Sequence, residues 1–71
     1  MAKKKLPPSI RLKELRVRRK LSMAEFGKLL GVGSSRVFDW ESGRHKPSRD
    51  HGIAIAALTQ AFGSEIRVED W

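Results

Sequence analysis

Side chains suited to catalysis are scarce in this sequence. Its 71 residues include no cysteine and two histidines, His45 and His51. Neither histidine stands in the ligand spacing that marks a metal site. No Ser-His-Asp set falls in a motif that would pair a nucleophile with its base. No catalytic residue, metal or cofactor is therefore expected, and no small-molecule site is evident. What the chain has in quantity is cationic chemistry. Lys and Arg number 15 against 8 Asp and Glu, a formal charge of +7, and such an excess on a short chain suits a polyanionic partner. The charge is unevenly placed. Residues 1–20 hold nine of the basic residues against Glu14 alone, while residues 21–71 are close to neutral.

Length and composition narrow the class. A chain of 71 residues is expected to form one domain, without room for a separate sensor or catalytic unit. A domain of this size buries only about 60% of its unfolded surface, so self-association can supply part of its stability. At 39% hydrophobic residues it is too apolar for a disordered basic tail. The absence of cysteine suits a cytoplasmic protein. No apolar run approaches the roughly 18 residues that span a bilayer. Lys3, Lys4 and Lys5 precede Leu6, Pro7 and Pro8 rather than an apolar stretch, which argues against a signal peptide.

The elements that must position the remaining chemistry are helices. Residues 1–8 read as a flexible basic arm, since adjacent lysines repel and Pro7-Pro8 oppose helix formation. Ser9 is expected to cap a helix reaching about Lys20, with Leu12, Leu15 and Arg19 on one face. Ser22-Met23-Ala24-Glu25 is a capping box, opening a helix that ends at Leu30 before Gly31. A third helix is expected from about Ser34 to Ser42, stopped by Gly43. A fourth, announced by Pro47 and Ser48, should run from Arg49 to Phe62 and close at Gly63. The alternation of Ile66, Val68 and Asp70 leaves residues 64–71 open as a strand, a turn or an extended tail.

Residues 22–47 hold the most informative pattern. Two short helices are separated only by Gly31-Val32-Gly33, too few residues for an antiparallel return, so they must meet at a steep angle as in a helix-turn-helix. Phe26 and Leu30 face inward from the first, Val32 fills the turn, and Val37 and Trp40 face inward from the second. Gly27 stands where any larger side chain would push the helices apart. These positions, with Leu15-Arg16 and the string Trp40-Glu41-Ser42-Gly43-Arg44-His45-Lys46-Pro47, resemble the Cro/CI-type (XRE) family of helix-turn-helix DNA-binding proteins over roughly residues 10–62.

The resemblance implies an all-α, lambda-repressor-like fold of four to five short helices: residues 9–63 as the DNA-binding domain and 64–71 as a tail, strand or dimer contact. It implies that Arg16 pairs with Glu41, joining the first helix to the end of the recognition helix. It also implies that residues 34–42 enter the major groove of double-stranded DNA. With Val37 and Trp40 inward, Ser35, Phe38, Asp39 and Ser42 point outward, Ser34 projects from the N-terminal end and Arg36 lies on the flank. The expected base-reading set is thus Ser34, Ser35, Arg36, Phe38 and Asp39. Arg36 suits a bidentate contact with guanine and Phe38 a thymine methyl. Asp39 either accepts from a cytosine amine or steers Arg36. Lys3, Lys4 and Lys5 of the arm, with Arg44 and Lys46 of the following loop, are the expected backbone contacts. The sequence departs from the family at Met23, where a phosphate-binding glutamine is usual.

The fourth helix is apolar nearly all round, with Ile53, Ala56 and Ala57 on one side and Ile55, Leu58 and Phe62 largely on the other. Both sides need cover, from the helix-turn-helix on one side and from the tail, Ile10 and Val17, or a second subunit on the other. A homodimer is expected, because one module reads a short site and a two-fold pair reads two half-sites. The function expected is a sequence-specific transcriptional regulator of the kind found in phages, controller proteins or antitoxins. The alternative is a protein-binding module on the same scaffold: an anti-activator, an adaptor, or an antitoxin acting mainly through a protein partner. Bulk attraction to DNA is expected from residues before 21, and choice of site from residues 34–39.

Overall fold

The computed structural model describes residues 6–71, so Lys3, Lys4, Lys5 and most of the expected arm lie outside the described residues. Among the described residues the elements are four α-helices and one helical turn: α1 (Pro8–Arg18), α2 (Met23–Leu30), α3 (Ser34–Ser42), α4 (Arg49–Ala61) and a 3-10 turn at Val68–Asp70. None of these helices is long and apolar enough to cross a membrane.

The helix ends follow local chemistry. Ser22 and Glu25 form the reciprocal box at the start of α2, with the Glu25 N–H donating to the serine Oγ at 3.0 Å and the Ser22 N–H to the glutamate Oε1 at 2.8 Å. The Ser22 backbone donor, helped by its hydroxyl and by Lys28, holds the Glu25 carboxyl below the usual glutamate range. Ser48 caps α4 through the His51 N–H. Each helix then ends with a left-handed residue and a long backbone bond. Val32 N–H reaches Gly27 O after α2, Arg44 N–H reaches Asp39 O after α3, and Ser64 N–H reaches Thr59 O after α4. Glycines 31, 43 and 63 supply the positive φ there. After α1 that position falls to Lys20, with φ 57°.

The first helix differs from expectation at both ends. Pro7 is its N-cap and Pro8 its first helical residue, so Ser9 lies inside the first turn and caps nothing. A proline at that position lacks only an N–H that would have no helical partner anyway, and its φ is already helical. The helix stops at Arg18 rather than Lys20. The fourth ends at Ala61, with Phe62 as its C-cap.

Leu12, Leu15, Phe26, Val37, Trp40, Ile55 and Ile66 form the buried core, with Leu30, Val32, Leu58 and Phe62 half-buried around it. Gly27 lies under the turn that follows its own helix. A Cβ there would sit 2.5 Å from the Val32 carbonyl oxygen and 3.3 Å from that of Gly33. Those are backbone atoms, so relief requires the α2–α3 turn to move. Gly27→Ala should therefore cost about 1–3 kcal/mol from overpacking. Alanine's better helix propensity offsets about 1 kcal/mol or less. A lower melting temperature in a thermal unfolding scan is the expected result, and an unchanged or higher one would remove the steric argument.

The segment after α4 is part of the same packed unit. Ile66 is fully buried, and its N–H donates at 2.8 Å to the Thr59 hydroxyl, which itself donates at 2.7 Å to the Ile55 carbonyl. Val68 packs on Gly52, where an added Cβ would come within 3.3 Å of its Cγ2. Of the forms left open for residues 64–71, residues 68–70 take the helical turn, and the core extends beyond the expected boundary at 63. Ile10 and Val17 do not cover α4; both are exposed on the outer side of α1.

Candidate nucleic-acid interface

The geometry of α3 begins with what it buries. Val37, Trp40 and Glu41 are its inward residues. The first two are apolar and enter the core. Glu41 enters because Arg16 meets it: Arg16 Nε donates to Oε2 at 2.7 Å and Nη2 to Oε1 at 3.0 Å, a bidentate pair, while Nη1 donates to the Leu21 carbonyl at 2.8 Å. The Glu41 side chain is only 2% exposed. Charges so deep in a small domain are tolerable only when paired and hydrogen-bonded throughout, and the planar fork of Arg16 fixes how α1 crosses the end of α3. Trp40 is held from the other side by His51, whose ring lies 5.5 Å away and contacts the Ser48 hydroxyl. His51 is thus a packing residue, and no cluster that could hold a metal ion occurs among the described residues.

Burial of that face leaves the opposite one open. Ser34, Ser35, Arg36 and Phe38 are exposed and Asp39 is half-buried. The loop after α3 is drawn back against it, since the Arg44 and His45 N–H groups both donate to the Asp39 carbonyl. This sets Arg44 and Lys46, both exposed, along the two flanks of the helix. Arg44 borders one shallow depression with Ser34, Ser35, Phe38 and Asp39. Lys46 borders another with Ser35, Arg36 and Asp39. Ser35 and Asp39 form the ridge between, so the structure brings the described part of the expected set onto one surface. Arg36 and Asp39 form no ion pair: the pairs among the described residues are Arg11–Asp70, Arg16–Glu41 and Arg67–Glu65.

A helix-turn-helix family profile matches residues 12–61. The chain belongs to the Cro/CI-type helix-turn-helix family. No curated protein and no solved structure matches it significantly. As a Cro/CI-type member it is a DNA-binding helix-turn-helix regulator with an all-α fold, from a family of DNA-binding domains rather than enzymes. Its partner is double-stranded DNA.

Two features of this Cro/CI-type chain were not legible from residue types. Arg11 and Arg19, counted in the basic surplus, are both engaged within the molecule. Arg11 Nη2 donates to the Glu65 carbonyl at 2.8 Å and Nη1 lies 3.7 Å from Asp70. The Arg19 guanidinium stacks 4.5 Å from the centre of the Phe62 ring and donates to the Phe62 carbonyl. Lys13, Arg18 and Lys20 remain exposed on or just after α1. The second feature is Met23, which borders the depression of Phe38 and Arg44. Its position at the start of α2 was the signal, because the turn brings that end of the helix beside the start of α3.

Proposed function

We propose that this chain binds double-stranded DNA sequence-specifically, with α3 in the major groove, and so regulates transcription. The observation that carries this reading is the unburied face of α3, where Ser34, Ser35, Arg36, Phe38 and Asp39 are flanked by the cations Arg44 and Lys46. Donors, acceptors and an apolar ring at the centre suit base edges, and cations at the margins suit phosphates. Lys3, Lys4 and Lys5 add backbone attraction before the domain.

The protein acts as a homodimer in this reading. Ile53 is 51% exposed on α4, and with Val68 and Trp71 it borders an open depression between the start of α4 and the 3-10 turn. A two-fold pair reads two half-sites about one helical turn apart.

Selection of bound duplexes from a random pool tests the whole proposal, and a two-fold symmetric consensus is the expected outcome. A gel-shift titration on random duplex at low and moderate salt separates it from the adaptor alternative. A DNA binder loses affinity steeply as salt rises, whereas an adaptor binds little even at low salt. On the same assay Lys46→Ala should weaken binding to every sequence alike and reduce the salt slope by about one charge. A sequence-dependent loss for Lys46→Ala would remove it from the backbone set.

A further inference from the structure

The depression on the Arg44 flank of α3 sets two apolar side chains beside hydroxyls, a carboxylate and one cation. Its lining is Met23 from α2, Ser34, Ser35, Phe38 and Asp39 from α3, and Arg44 from the loop. Phe38 is 47% exposed and also borders a neighbouring hollow with Ser42, Gly43 and Arg44. A thioether and an aromatic ring offer a phosphate no donor, and the Asp39 carboxylate repels one. Arg44 is the single cation of the lining and can meet a backbone phosphate. The apolar part suits a base edge. In the major groove, the apolar group that a base edge presents is the C5-methyl of a pyrimidine.

We propose that Phe38 and Met23 together form a receptor for a pyrimidine 5-methyl group, which makes Met23 a specificity-determining residue beside the α3 set. The inference rests on the DNA-binding reading above. Ring and thioether supply dispersion contact on two sides of the methyl, and the unbranched methionine adjusts to its position. Met23 is half-buried against the core, and its remaining apolar surface borders this depression beside Phe38. Two bases carry the methyl. Thymine places O4 next to it, an acceptor for the Ser34 or Ser35 hydroxyl, and 5-methylcytosine places there an N4 amine, a donor to Asp39.

The test uses the full chain and a selected duplex, with thymines replaced one at a time by uracil and cytosines by 5-methylcytosine. Each change removes or adds one methyl and leaves every hydrogen-bonding group in place. Burial of one methyl group corresponds to about a fourfold change in affinity. Expected is a loss of that size for uracil at one thymine per half-site, or an equal gain for 5-methylcytosine at one cytosine. The arm that responds identifies the base. Phe38→Ala and Met23→Leu variants should respectively abolish and diminish the ratio between methylated and unmethylated duplex, each variant being its own reference. Wild-type protein that binds fully uracil-substituted and fully methylated duplexes as it binds the unmodified one overturns the inference. Failure to bind any duplex overturns the reading beneath it, and the inference with it.

Discussion

Glu41→Ala should lower the unfolding free energy by about 3–5 kcal/mol, the usual cost of leaving one partner of a buried ion pair without the other. The reason is the state in which it leaves Arg16. That guanidinium donates to both Glu41 oxygens and to the Leu21 carbonyl, and the residue is almost fully buried. With the carboxylate gone, a cation faces the core with one neutral acceptor. Domains are stable by only about 5–15 kcal/mol, and small ones lie toward the lower end, so the variant should be partly unfolded near room temperature. Thermal or urea unfolding followed by circular dichroism reads the effect. Replacing both partners, Arg16→Met with Glu41→Leu, should recover most of the loss, because no unpaired charge then remains. An unfolding free energy of Glu41→Ala within about 0.5 kcal/mol of the parent, the scatter of surface substitutions, would dismiss the pair as a structural element.

Arg36→Ala should reduce discrimination at particular base pairs by about 1–3 kcal/mol, roughly fivefold to 160-fold, while changing affinity for random duplex little. Arg36 is exposed on the flank of α3 that it shares with Lys46, yet has no carboxylate partner among the described residues. Its guanidinium is thus free to meet guanine O6 and N7 with two parallel donors, a geometry that lysine does not reproduce. Competition between selected and random duplexes separates the two cationic roles, because Lys46→Ala lowers both affinities and Arg36→Ala lowers chiefly the first. An equal loss on both duplexes for Arg36→Ala would place it on the backbone. The fold itself should be little affected, since Arg36 is exposed and its side chain forms no ion pair among the described residues.

Much of this architecture is legible because it is written in local chemistry. The Ser22–Glu25 box, the Ser48 cap and the glycines after α2, α3 and α4 each act within a few residues, so no distant contact is needed to read them. The inward positions Phe26, Val37 and Trp40 follow from helical spacing on either side of a turn too short for any other arrangement. Where two local signals compete, the structure departs from the expectation. Ser9 is a good cap residue, but Pro8 beside it is already preorganised for the first helical position, and the helix starts there. At the other end, Lys20 takes the left-handed position that the remaining helices give to glycine, and no residue type announces that.

What the sequence determined by itself is the helix-turn-helix, its family and the outward face of α3. Helical period and capping dictate these once a few apolar positions are buried. The tertiary structure alone decided the fate of three groups. Ile66 enters the core because Thr59, seven residues earlier, supplies a buried hydroxyl for its N–H. Arg11 and Arg19 engage Glu65, Asp70 and Phe62 because those residues are folded back beside α1. Met23 joins Phe38 because the steep α2–α3 crossing, permitted by the missing side chain of Gly27, brings two helix beginnings together. Each depends on separate elements of the chain meeting in space, and a charge count or a periodicity contains no such information.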